Sequence, residues 1–135
     1  MTFFVITVAV IIGLAAMCLI LTETQDEKNI TFLKKYGWRV EPVCYERVNL
    51  TIPKEFDNVY KNYNDLQKNA GLDLENYKGI AAVRYTYAVI NFPEKVDDTV
   101  YANVLCVEEK IIAGDIMTRP VDGFMVSLNY LKNGK

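Results

Sequence analysis

From Phe3 to Leu21 the chain runs nineteen residues without a charge, FFVITVAVIIGLAAMCLIL, and no other feature limits its possible folds as tightly. As a helix rising about 1.5 Å per residue, this run matches the ~30 Å hydrocarbon core of a bilayer. All fifteen basic and seventeen acidic residues follow it. The chain therefore divides into an anchor over residues 1–22, a polar stalk over 23–29 and one soluble domain over 30–135. A domain of this length can close a single core.

A cleaved secretory signal fits the run poorly. Only Met1 and Thr2 precede it, without Lys or Arg, the apolar stretch is too long, and no small-x-small site follows at Leu21-Thr22-Glu23. Acylation at Cys18 fits no better, since Met17 precedes it and Leu19-Ile20-Leu21 stay apolar. A retained single-pass anchor is the reading that remains. Lys28, Lys34 and Lys35 after the span argue for a cytoplasmic domain by the positive-inside rule. The two-residue N-terminal tail and the resemblance of the run to a bacterial signal-anchor argue for an extracytoplasmic one, the side adopted here.

In the soluble part, Ile30, Leu33 and Tyr36 recur at helical spacing, and Gly37 suits a C-terminal cap. Trp38–Val43 alternates and reads as a strand that Pro42 confines to an edge or a bulge. Val48, Leu50 and Ile52 alternate again. The strongest helix runs from Pro53 to Gly71, with an apolar stripe of Phe56, Val59, Tyr60, Tyr63, Leu66 and Ala70. Asp73 can cap a short turn that Gly79 ends. From Ile80 the period is two: 80–92, 99–108 and 110–117 are rich in Val, Ile, Tyr and Thr. Short connections make these strands antiparallel neighbours. Val121–Leu131 is apolar but ambiguous in type. The expectation is an α+β domain, a curved antiparallel meander covered on one face by the amphipathic helix.

Phe32-Leu33-x-x-Tyr36-Gly37-Trp38, Ile52-Pro53-x-Glu55-Phe56, Tyr63-Asn64-x-Leu66-Gln67 and Gly71-Leu72-Asp73-Leu74-x-x-Tyr77-x-Gly79 form an ordered series. Arg84-Tyr85-Thr86-Tyr87, Asn91-Phe92-Pro93, Gly114-Asp115 and Asp122-Gly123-Phe124 continue it. Together they resemble a domain-of-unknown-function family of small membrane-anchored proteins from Gram-positive, largely gut-dwelling bacteria. The resemblance spans residues 28–128 and implies a cell-envelope setting. It brings no catalytic residue with it. Glu109 departs from the pattern, standing at a turn position where the family leads one to expect Gly. A positive φ there would strain Glu.

The chain has no His, which removes Ser-His-Asp and Cys-His catalysis, His metal ligands and the usual near-neutral acid–base group. Ser127 is the single serine, the seven Gly are scattered, and no Cys pair has zinc spacing. No metal or other cofactor is expected, and the net charge of −2 gives no footprint for nucleic acid. Asp115 and Asp122 are the weak catalytic candidates, able to act as a carboxylate pair if the fold brings them within about 5–10 Å. The competing reading makes Asp115 a hydrogen-bonded structural residue and Asp122 a turn former. Cys44 and Cys106 can pair outside the membrane, though free, mostly buried thiols are the favoured reading.

Nine tyrosines are the positive oddity of the composition. Tyr85 and Tyr87 share a strand face, with Tyr101 on the next strand and Arg84 beside them. Such a cluster either binds a glycan ring or protein partner, or packs beneath Phe56, Tyr60 and Tyr63 of the helix. The expected function is a membrane-tethered extracytoplasmic binding module without enzymatic activity, its partners the bilayer through Phe3–Leu21 and an envelope protein or glycan. The alternatives are a carboxylate-dependent envelope hydrolase and a small structural subunit of a membrane complex. The last would use the small residues Gly13, Ala15 and Ala16 of the span.

Overall fold

The computed structural model describes residues 22–133. The run Phe3–Leu21, and the anchor expectation with it, lies outside the described residues. Among those described, no helix is long and apolar enough to cross a membrane.

Helix α1 spans Gln25–Lys35 and starts inside the segment expected to be a stalk. A capping box explains the early start: Thr24 Oγ1 accepts from the Glu27 N–H at 3.2 Å, and Glu27 Oε2 accepts from the Thr24 N–H at 3.1 Å. Asp26 and Glu27 also suit the positive end of the helix, and Lys34 and Lys35 its negative end. The helix closes on Gly37, at φ 92°, with Trp38 N donating to Leu33 O and Gly37 N to Lys34 O. The strand expected over Trp38–Val43 does not form. Val40 makes a single bridge to Val89, while Trp38 is fully buried and its indole N–H donates to Leu128 O at 2.8 Å.

Strand β1 (Glu46–Thr51) leads to helix α2 (Asn58–Asn69). This helix begins five residues after Pro53 because Asp57 caps it, its carboxylate accepting from the Tyr60 N–H at 2.9 Å. Its inner face differs from the expected stripe. Val59 is 73% exposed, whereas Asn64 and Gln67, outside the stripe, are buried together with Ala70. Hydrogen bonds draw the two amides inward. Asn64 accepts from Leu74 N and donates to Asp73, and Gln67 Oε1 accepts from Gly114 N at 2.8 Å. Asp73 also accepts from Glu75 N at the start of the 3₁₀ turn Glu75–Tyr77, whose N-cap residue is Leu74 and not Asp73 as expected.

Strands β2 (Ala81–Ala88), β3 (Val100–Val107) and β4 (Lys110–Thr118) follow at the places their alternation predicts. With the two-residue β5 (Met125–Val126) they form an antiparallel sheet in the order β1-β2-β3-β4-β5. The meander and the α+β class agree with the sequence reading. In the β3–β4 turn the left-handed residue is Glu108, at φ 54°, and not Glu109. The described residues close with a short helix α3 (Tyr130–Asn133).

Both faces of the sheet are packed, where one helix over one face was expected. Tyr85, Tyr87, Val104, Cys106 and Ile116 share a core with Leu33 of α1, Trp38 and Leu128. On the opposite face Ala82, Leu105 and Ala113 pack with Ile52, Leu74, Phe56, Tyr60 and Tyr63. Helix α1 thus covers one face and α2 the other.

Candidate binding site

Because α2 turns Asn64 and Gln67 inward, its Tyr60, Tyr63 and Leu66 stand along one side of the helix and face an open groove. This groove, of about 500 Å³, runs between α2 and the sheet. Leu50, Leu105, Met117 and Met125 supply apolar lining from the sheet side. Its polar floor is built by three strands: Arg84 from β2, Asn103 from β3 and Asp115 from β4.

The antiparallel register sets Asn103 directly opposite Asp115. Asn103 Nδ2 donates to Asp115 Oδ1 at 2.9 Å, and the Tyr63 hydroxyl donates to Oδ2 at 2.9 Å. Thr86 completes the chain by donating to Asn103 Oδ1 at 2.7 Å. Burial pushes the Asp115 carboxyl up to about 6, against the opposing pull of the Asn103 and Tyr63 hydrogen bonds and the Arg84 charge. Burial also holds the Tyr63 phenol well above its ordinary value, and the neighbouring Asp115 adds to this.

Arg84 Nη2 donates to Glu46 Oε1 at 3.0 Å, while its Nε is buried without a hydrogen-bond partner among the described residues. The other Glu46 oxygen takes Arg119 Nη2 at 3.0 Å, so one carboxylate serves two guanidinium groups. Hydrogen bonds from Arg119 and Arg84 hold the Glu46 carboxyl below its ordinary value. Arg119 in turn lies 5.0 Å from the ring centres of both Tyr45 and Tyr101.

Of the residues singled out from sequence, the groove brings together Asp115 and Arg84. Asp122 is not with them. It lies on the exposed turn before β5 and does not line the groove, so the pair of carboxylates is not assembled in one cleft. The tyrosine cluster also divides. Ala88, not Tyr87, is the partner of Tyr101, which places Tyr101 on the opposite face from Tyr85 and Tyr87. Tyr85 and Tyr87 are buried under α1, away from Phe56, Tyr60 and Tyr63. The Tyr87 hydroxyl donates to Asp26 Oδ1 and accepts from Asn29 Nδ2, which ties α1 to the sheet.

Cys44 and Cys106 are free thiols. Cys106 is buried in the core under α1, and burial pushes its thiol up to about 11. Among the described residues, no group of three or more acidic or thiol side chains is placed to hold a metal ion.

Tyr63, Asn103, Glu46 and Arg119 were not anticipated as parts of the site. Asn103 had a legible signal, since it is the one amide in an otherwise apolar and aromatic strand, VYANVLCV.

No curated protein and no solved structure matches the chain. A family model does, over residues 32–116, that of a domain of unknown function termed DUF4830. This span contains Tyr63, Arg84, Asn103 and Asp115, the whole polar floor of the groove and the helix side above it. The chain belongs to the DUF4830 family.

Proposed function

We propose that the domain is a non-enzymatic binding module whose ligand occupies the groove between α2 and the sheet. In this reading, the segment Phe3–Leu21 holds it at the outer face of a bacterial cell membrane. The groove itself carries the reading. A cleft of about 500 Å³ with apolar walls and a few convergent polar groups has the usual make-up of a small-molecule site. Asp115 favours binding over hydrolysis, because both its oxygens already accept hydrogen bonds and no second carboxylate among the described residues lines the cleft. The absence of His supports the same choice. The uncharged run and the resemblance to membrane-anchored envelope proteins support the location.

The test is to purify the full chain in lipid nanodiscs, extract it with organic solvent and identify retained small molecules by mass spectrometry. A molecule held by the native chain and lost from Leu66→Trp, which fills the groove, is the expected result. An extract that is empty, or identical for both proteins, overturns the groove reading. Alkaline phosphatase fused after Lys135 should be active in a bacterial host, and an inactive fusion overturns the extracytoplasmic assignment.

A further inference from the structure

We infer that the groove takes an amphipathic carboxylate, with an acyl chain along its apolar wall and the carboxylate on Arg84. The inference deepens the groove reading and rests on it. Acceptors on the groove floor are already engaged. Asp115 Oδ1 takes the Asn103 amide, Asp115 Oδ2 takes the Tyr63 hydroxyl, and Asn103 Oδ1 takes the Thr86 hydroxyl. What remains is a donor, since Arg84 gives Nη2 to Glu46 while its Nε is buried with no acceptor. A buried donor without a partner is unfavourable, and a ligand oxygen relieves it.

Charge points the same way. Arg84 and Arg119 share the single carboxylate of Glu46, so this part of the groove is incompletely neutralised from the β1 side. Asp115 accepts from two neutral donors, and among the described residues the ion pairs of Arg84 and Arg119 are with Glu46, not with Asp115. A guanidinium matches a carboxylate in shape as well as sign, since its planar fork can offer two parallel N–H groups. An amine meets the Arg84 charge as repulsion, and a neutral alcohol gains less from it than a carboxylate does. The rest of the cleft, Leu50, Leu66, Leu105, Met117 and Met125, asks only for an apolar body. The occupant that satisfies both parts is a short fatty acid or another acyl carboxylate.

Isothermal calorimetry on the full chain in phosphatidylcholine nanodiscs, with empty discs subtracted, tests this using octanoate, octanol and octylamine. Octanoate should bind at least about tenfold more tightly than either of the others. Arg84→Lys keeps a cation opposite Glu46 but removes the fork, and should weaken octanoate by about tenfold or more. Glu46→Gln leaves Arg84 in place with its charge uncovered, and should tighten octanoate. Equal binding of octanol and octanoate overturns the carboxylate assignment and leaves the groove reading standing. So does an octanoate affinity that neither variant changes. If none of the three probes binds the native chain, the groove reading falls with it.

Discussion

Asp115 is the residue on which stability and site chemistry meet. Its carboxyl is raised from 3.8 to about 6 in the folded protein, so the native state binds the proton more tightly than the unfolded chain. The stabilisation this gives is fully present below the unfolded value and is lost as pH rises through about 6. At roughly 1.4 kcal/mol per unit, it amounts to about 3 kcal/mol. Urea unfolding at about pH 4 and about pH 7 should show that fall in the native protein beyond whatever Asp115→Asn retains. Glu108 offers a test of the opposite sign. A left-handed conformation costs a residue with a Cβ about 1 kcal/mol, so Glu108→Gly should raise the unfolding free energy from urea titration by about that much. The family resemblance pointed to the neighbouring Glu109, because it shows that a turn lies here but not which of two adjacent glutamates takes the positive φ. Asp115 itself was legible as an acid within a strand. Its partner Tyr63, 52 residues away, was not, because that hydrogen bond depends on how α2 is rotated.

At the level of elements, alternation located β2, β3 and β4 within one to four residues, because Val, Ile, Tyr and Thr recur at period two between clear turn residues. Helix ends were harder to place. Pro53 and Glu55 carry first-turn preferences, yet the Asp57 side chain closes the actual N-terminus. Thr24-x-x-Glu27 is a capping signature concealed in a stretch polar enough to pass for a stalk. The rotation of α2 escaped the hydrophobic pattern altogether, since a moment computed from side-chain type assigns Asn64 and Gln67 to solvent. Gln67 explains why that fails: its Oε1 meets Gly114 N on β4, beyond the reach of β5. Gln67→Met keeps the volume but leaves that buried N–H unpaired. It should cost about 1–3 kcal/mol in denaturant unfolding, and a neutral result would remove this contact as the reason for the helix's orientation.

In the whole molecule, what was hardest to read was a sheet covered on both sides. Seven of the eight residues in β3 are buried, and a short apolar run of this kind does not reveal which element lies on each face. Tyr85 and Tyr87 were therefore open to two readings, and packing under α1 was not one of them. The double cover gives the two thiols different histories. In a Cys18→Ala background, maleimide should label half-buried Cys44 first, while Cys106 should react only at the rate of global unfolding. Equal rates would mean that α1 lifts off independently.

The capping box has a consequence for the tether proposed above. Thr24 fixes the first turn of α1, so only Thr22, Glu23 and Thr24 separate the uncharged run from a helix packed on the domain. Three extended residues reach about 10 Å, too little for a globule to tumble freely above a bilayer. The start of α1 lies beside the β3–β4 hairpin, through Gln25 to Cys106 and Lys28 to Glu109. A protein moored this closely, as the proposed anchor would moor it, would work as a fixture with a set heading. Under the proposed tether, the hairpin end would be held toward the lipid and the opposite end, with Tyr45 and Arg119, would point away from it.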